Sequence, residues 1–163
     1  MYTKIYWVHD FANGAKVGIM PRPRGGEWLE EEIVKLKKQH IGTWVSLLEQ
    51  HEINELGLRN QQTLCSKHEL EYINFPIVDR SVPEKGNKID SLIDALYQKT
   101  KTGNSVVIHC RMGIGRSSII AGCILLKAGF KTDQILQKIT SARGLKVPDT
   151  DQQVQWLKKR EKG

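Results

Sequence analysis

The amino-acid sequence predicts an α/β fold: a single domain with a central, mostly parallel sheet of about five strands covered by helices on both faces. Three observations predict it. Short apolar, β-branched runs alternate with segments of helical period; Val106-Val107-Ile108 is an unbroken apolar run of the kind found at a sheet centre; and 163 residues of 39% hydrophobic content supply one core rather than two.

The elements follow in chain order. Lys4 to Val8 and Lys16 to Met20 read as short strands, joined by the Asn13-Gly14 pair, a strong hairpin signal. After Gly25-Gly26, Leu29, Ile33 and Leu36 recur at i, i+4 and i+7 and mark an amphipathic helix. Thr43 to Leu48 is a buried strand, and Glu69 to Ile77 carries another. Ile89, Leu92, Ile93 and Leu96 form the stripe of a helix stopping at Gly103, and Ser105 to His109 is the central strand. Ile119 to Leu126 is apolar all round, which predicts a helix enclosed by neighbours with Gly129 as its stop. Ile135, Ile139 and Ala142, then Val154 with Leu157, give two more helices. Trp7, Trp28, Trp44 and Trp156 are assigned to core or edge packing.

The net charge of +7 favours an anionic partner. The lysine runs at 35–38 and 158–162 read as solvated helix faces, and no nucleic-acid partner is expected because no aromatic interleaving accompanies them. The N-terminus lacks the apolar run of a secretory signal, and Ile119 to Leu126 is too short to span a bilayer, so a soluble cytoplasmic protein is expected. Cys65, Cys110 and Cys123 are an odd number without paired metal spacing, which fits free thiols in a reducing compartment. His9, His40, His51 and His68 show no ligand spacing either, so neither a metal nor an organic cofactor is expected.

The stretch V-V-I-H-C-R-M-G-I-G-R-S-S-I-I-A-G, residues 106–122, carries the chemistry. Its loop leaves the carboxyl end of a buried strand and enters a helix N-terminus, where α/β folds bind anions. Gly113 and Gly115 permit backbone conformations closed to other residues, so successive N–H groups of Arg111, Met112, Gly113, Ile114 and Gly115 can turn inward as a phosphate nest. The nest and helix dipole favour negative charge, which would keep Cys110 a thiolate. Arg116 adds a planar fork able to hold two phosphate oxygens at once. No lysine follows the last glycine, so this is not the ATP-binding loop.

H-C-R-M-G-I-G-R-S resembles the His-Cys-x5-Arg-Ser/Thr signature of cysteine-dependent protein phosphatases, and the chain is similar to the small dual-specificity branch, its atypical and bacterial members in particular. The resemblance implies the cysteine-phosphatase fold over residues 1–163 and hydrolysis through a phosphocysteine. Cys110 is then the nucleophile and Arg116 the phosphate clamp. The leaving alcohol needs a proton donor. F-P-I-V-D-R-S-V-P offers Asp79 in a family-like Pro-x-x-Asp setting, with Glu84 and Asp10 as secondary candidates. Arg80 is either a substrate contact or a plain loop arginine. Ser117 resembles the family hydroxyl that bonds the cysteine sulfur, the alternative being an ordinary helix-start serine. His109 is expected to support the loop rather than act as a base. V-P-D-T-D-Q-Q-V-Q-W loosely resembles the segment whose glutamine orients the hydrolytic water, and Gln153 is the best match. Met20 to Gly26 is expected beside the mouth, with Arg22 and Arg24 facing an anionic substrate, or as a surface turn.

The implied reaction is phosphomonoester hydrolysis on phosphotyrosine and phosphoserine/threonine in proteins or peptides, with phosphate and other oxyanions bound in the loop. Alternatives are a phosphoinositide or RNA 5′-phosphate substrate with the same chemistry, or a phosphate-binding module without turnover. A rhodanese-like sulfurtransferase gives no reason for Asp79. Cys65 and Cys123 are read as inert core thiols, and a peroxide-driven bond from either to Cys110 is a separate hypothesis.

Overall fold

A computed structural model describes residues 2–163. The strands are β1 (Tyr6–Asp10), β2 (Lys16–Met20), β3 (Ile41–Ser46), β4 (Glu71–Asn74) and β5 (Ser105–His109). The helices are α1 (Leu29–Lys38), α2 (Gln50–Glu55), α3 (Gln61–Lys67), α4 (Asn87–Lys101), α5 (Arg116–Lys127), α6 (Thr132–Arg143) and α7 (Asp151–Lys162). A short 3-10 turn, Gly26–Trp28, leads into α1.

The five strands form one sheet in the order β1-β2-β5-β3-β4, with the β1–β2 hairpin antiparallel and every other pairing parallel. β5 is central because Val106, Val107 and Ile108 are fully buried and apolar on both sides. One face packs against α4, α5, α6 and α7 around Ile93, Ile120, Ile124 and Leu157; the other packs against α1, α2 and α3 around Ile33, Trp44 and Leu58. Ten residues of α5 are buried, as its uninterrupted apolar surface requires. No helix of the described residues is long and apolar enough to cross a membrane.

Local chemistry moves some boundaries. β1 runs from Tyr6 to Asp10 rather than from Lys4 to Val8, because its ladder to β2 starts at the Tyr6–Ile19 pair and closes on Asp10–Lys16. Asn13 fixes that turn by accepting from the Ala15 N–H and donating to the Thr100 carbonyl. The strand expected over 69–77 is regular only at Glu71–Asn74: Glu69 has φ +58°, and Pro76 brings no N–H to the ladder. Beyond it the chain stays tied to β3 through Phe75 N–H to Ser46 O (2.9 Å) and Ile77 N–H to Leu47 O (3.1 Å). Trp44 is core, whereas Trp28 is exposed, covered on one side by the Arg24 guanidinium 5.4 Å from its ring centroid.

α2 and α3 escape the sequence pattern. Their inward positions are Glu52 and Ile53, and Gln61 and Cys65, so half of each buried face is polar and the 3.6-residue apolar period is lost. Those polar residues serve the site at the carboxyl end of β5.

Candidate active site

Cys110 follows β5 directly and is buried, 2% exposed, at the floor of the loop 111–115. Three hydrogen bonds from two neighbours hold the outer side of that loop. The Arg22 N–H donates to Arg111 O (3.1 Å), Arg143 Nη2 to Met112 O (3.3 Å) and Arg143 Nε to Gly113 O (2.9 Å). In a trans peptide the N–H points opposite to its carbonyl. With these three carbonyls turned outward, the N–H groups of Met112, Gly113 and Ile114 turn inward, toward the sulfur.

Gly113 meets the sequence expectation of a backbone conformation closed to other residues, and Gly115 does not. Gly113 has φ +69°, and a Cβ there would lie 2.6 Å from backbone atoms of Met20 and Pro21. Gly115 has φ −93°, open to any residue, so its need is for space: a Cβ would lie 2.6 Å from Asp149 Oδ2 and 2.9 Å from Gln153 Nε2.

Arg116 opens α5 and is 1% exposed. Its Nη1 and Nη2 donate to the two carboxylate oxygens of Glu52, each at 2.9 Å, and Nη1 also donates to Ile77 O at 2.9 Å. Asp79 Oδ1 sits 3.0 Å from Nη2. Burial pushes the Glu52 carboxyl up, but hydrogen bonds from Arg116 and from the Glu49 N–H outweigh it and hold Glu52 below the usual range. Burial likewise opposes the Arg116 charge, and Glu52, Cys110 and Asp79 reverse that, so the guanidinium is held more firmly protonated than usual. Nη1 is fully engaged and Nη2 bonds Glu52 while facing Asp79 as an ion pair; Nε has no hydrogen-bond partner among the described residues.

The Cys110 S–H donates to Ser117 Oγ, with the sulfur 3.3 Å from the hydroxyl oxygen. His109 is fully buried, with Nδ1 3.3 Å from Cys110 O and Nε2 2.9 Å from Gln61 Nε2. The carbonyl can only accept, so Nδ1 carries the hydrogen and Nε2 accepts from Gln61. Burial pushes the imidazole down to about 4, which keeps it neutral and in a supporting position.

A family model described as a polymorphic toxin system DSP-PTPase phosphatase matches residues 17–130, from β2 through the end of α5. The chain belongs to that phosphatase family. Its relatives agree in architecture. Cyclin-dependent kinase inhibitor 3 of Rattus norvegicus is 23% identical over 131 residues, 79% of this chain and 61% of that protein, so the chain spans less than two thirds of its length. The kinase-associated phosphatase with its catalytic-site cysteine changed to serine superposes with a TM-score of 0.86 at 19% identity, covering 99% of this chain and 96% of that one. Tk-PTP in the active form gives 0.75 at 21% identity (97% and 96% covered). PTPMT1 in complex with PI(5)P gives 0.75 at 17% identity (96% and 95% covered).

Within this DSP-PTPase frame the other sequence candidates separate. Gln153 is fully buried; its Oε1 accepts from the Thr150 N–H (3.2 Å) and its Nε2 donates to Ser81 O (3.0 Å). It therefore ties α7 to the segment after Asp79, beside Gly115. Asp10 lies at the end of β1 remote from the loop, and Glu84 and Arg80 are exposed. The Met20–Gly26 segment does border the loop through the Arg22 N–H. Arg24 does not face the mouth: it pairs with Glu31 (3.8 Å) and Glu32 (3.7 Å) and lies over the Tyr2 and Trp28 rings.

Burial pushes the Cys65 and Cys123 thiols up to about 12. Cys65 packs on the opposite face of the sheet from Cys110. Cys123 stands six residues beyond Ser117, roughly 9 Å along α5. A bond from either to Cys110 would require the core to open. Among the described residues Glu49, His51 and Glu52 have metal-like spacing, but both Glu52 oxygens are taken by Arg116.

Sequence reasoning missed Glu52, Gln61 and Arg143. Each reaches the loop from far along the chain, separated by 64, 48 and 30 residues from its partner, and no local motif marks them. The signal that was available is a polar residue at an inward helical position.

Proposed function

We propose that this chain is a phosphomonoesterase acting through a phosphocysteine, with Cys110 as nucleophile. The observation that carries it is the Cys110 sulfur buried beneath inward-facing amides, 3.3 Å from Ser117 Oγ, on a loop that ends at Arg116. Sγ attacks phosphorus, the N–H groups of 112–115 hold the equatorial oxygens, and Arg116 Nε supplies the charged donor. A phosphoryl oxygen then replaces Asp79 on Nη2, and the released carboxylate, more than half exposed, takes a proton from solvent and delivers it to the leaving oxygen as the P–O bond breaks. Water attacks the phosphocysteine with Asp79 as base. The Ser117 hydroxyl stabilises the departing thiolate, and Gln153, which stands beside Gly115, is the residue to orient the hydrolytic water.

The substrate class is phosphotyrosine and phosphoserine/threonine in proteins. Met112 and Val78 are 61% and 59% exposed at the rim, which suits a shallow mouth open to a protein surface. Three free, buried thiols suit a reducing, cytoplasmic setting. The test is phosphate release from a small aryl phosphate with chelator present. Turnover is expected in the unaltered protein and absent in Cys110→Ser; phosphate binding without turnover by the fully reduced protein would leave only a binding module. Parallel assays on phosphopeptides, PI(5)P vesicles and 5′-phosphorylated RNA separate the substrate classes.

A further inference from the structure

We propose that the groove between the outer edge of β1 and α6 docks an extended, acidic segment of a phosphoprotein substrate, which joins the sheet beside β1 while its phosphorylated residue enters the Cys110 loop. This rests on the phosphomonoesterase reading above and adds a second contact surface to it.

β1 is the outermost strand and pairs with β2 alone, so its other edge presents unpaired N–H and C=O groups. Against that edge lies a cavity of about 620 Å³ whose walls include Trp7, Val8, Phe130, Gln137 and Lys138. A second, of about 360 Å³, is lined by Trp7, Val8, His9, Asp10 and Lys138. Successive residues of a strand point to opposite faces. Trp7 and Val8 lie on opposite faces, and the bulge at Trp7–His9 interrupts the alternation beyond them, so a space walled by Trp7 and Val8, and then by His9 and Asp10, follows the strand beside its open edge. That is where an added strand binds, its main chain bonding the edge and alternate side chains filling the pockets.

The groove leads to the site. β1 runs antiparallel to β2, which is parallel to β5, so Tyr6 lies at the end of the sheet from which the Cys110 loop emerges. Arg143 joins the two directly: its guanidinium stacks 4.1 Å from the Tyr6 ring centroid while donating to Met112 O and Gly113 O. The five residues of β1 offer roughly 17 Å of edge leading away from the catalytic mouth.

Charge selects the partner. The ammonium groups of Lys4 and Lys138 lie 4.9 and 5.0 Å from the ring centroids of Tyr6 and Phe130 along this edge, and that of Lys16, on the neighbouring β2, lies 5.3 Å from the Trp7 ring. None of the three forms an ion pair among the described residues. Asp10 is the one carboxylate lining either cavity. Lysines and the bulge at Trp7–His9 also guard an edge against self-association, but a guard needs no cavity.

The test uses three phosphotyrosine peptides of equal length: one with an acidic, β-prone flank, one with that flank changed to lysines, and the acidic one N-methylated at alternate residues. KM and fluorescence-anisotropy affinity are measured in parallel, with a small aryl phosphate as the baseline. The acidic flank should bind roughly fivefold or more tighter than the lysine flank, and N-methylation should weaken it roughly two- to tenfold per lost bond. Lys138→Glu, or Lys4→Glu, should abolish the acidic preference while aryl phosphate turnover stays unchanged. Equal affinities for all three peptides would overturn the groove whatever the turnover. Absent aryl phosphate turnover with the affinity contrasts intact would overturn the catalytic reading and leave the groove standing.

Discussion

Glu52 and Asp79 place carboxylates on the same guanidinium from opposite surroundings. Glu52 is 2% exposed, bonds Arg116 through both oxygens and accepts the Glu49 N–H as well; Asp79 is 54% exposed and makes one contact at 3.0 Å. An exposed pair contributes little and breaks readily, whereas a buried one leaves a stranded charge when a partner is removed. One carboxylate therefore fixes the arginine, and the other is able to leave it during a reaction.

The sharpest way to break this contrast is Glu52→Ala. It should cost about 3–5 kcal/mol in urea or thermal unfolding and abolish turnover, because Arg116 would remain buried without its partner. A variant as stable as the parent would show that Glu52 is no anchor. Asp79→Ala should do the reverse. Its stability should change by less than ~1 kcal/mol, while turnover of an alkyl phosphate falls about 10²- to 10⁴-fold. A loss that is equal for alkyl and activated aryl phosphates would argue that Asp79 binds rather than protonates.

A third prediction concerns the buried support beneath the loop. His109 is held down to about 4 against an ordinary 6.5, so the unfolded chain takes up its proton first as pH falls. Its contribution is whole above pH 6.5 and is lost as pH drops through 4, up to roughly 3 kcal/mol in all. Stability measured across that window should fall more steeply in the unaltered protein than in His109→Phe. Equal slopes would mean that the imidazole is not desolvated. The smallest contrast lies between the loop glycines. Gly113→Ala should cost more than ~1 kcal/mol, because φ +69° and the Met20–Pro21 backbone both oppose a side chain, and Gly115→Ala should cost less, since Asp149 and Gln153 can shift.

The same contrast explains what could be read from the chain. Cys110, Arg116 and Ser117 stand within one strand-loop-helix segment, and Asp79 follows a strand in a short motif of its own, so residue order alone exposes them. The residues that fix them do not lie in such motifs. Glu52 and Gln61 occupy inward helix positions where an apolar residue is expected, and by being polar they hide both the helices and themselves. Arg143 closes α6 and is indistinguishable in sequence from any basic C-terminal residue. Arg24 looked available for substrate only because its partners on α1 and its aromatic cover were out of view. The sheet was legible because the β5 run is apolar on both faces, and its edges were less so because turn geometry and Pro76 set them.

The central position of β5 has a kinetic consequence. Its partners are β2, paired through Val17 and Val106, and β3, paired through Val45 and Ile108, so both flanking ladders join distant parts of the chain. Chains dominated by such non-local pairing fold slowly. The Cys110 loop hangs from the strand that must be captured from both sides, and Glu52 must arrive across 64 residues to neutralise Arg116. During refolding, helical signal should therefore return before any turnover of an aryl phosphate, and the Cys110 sulfur acquires its surroundings only once the whole sheet has closed.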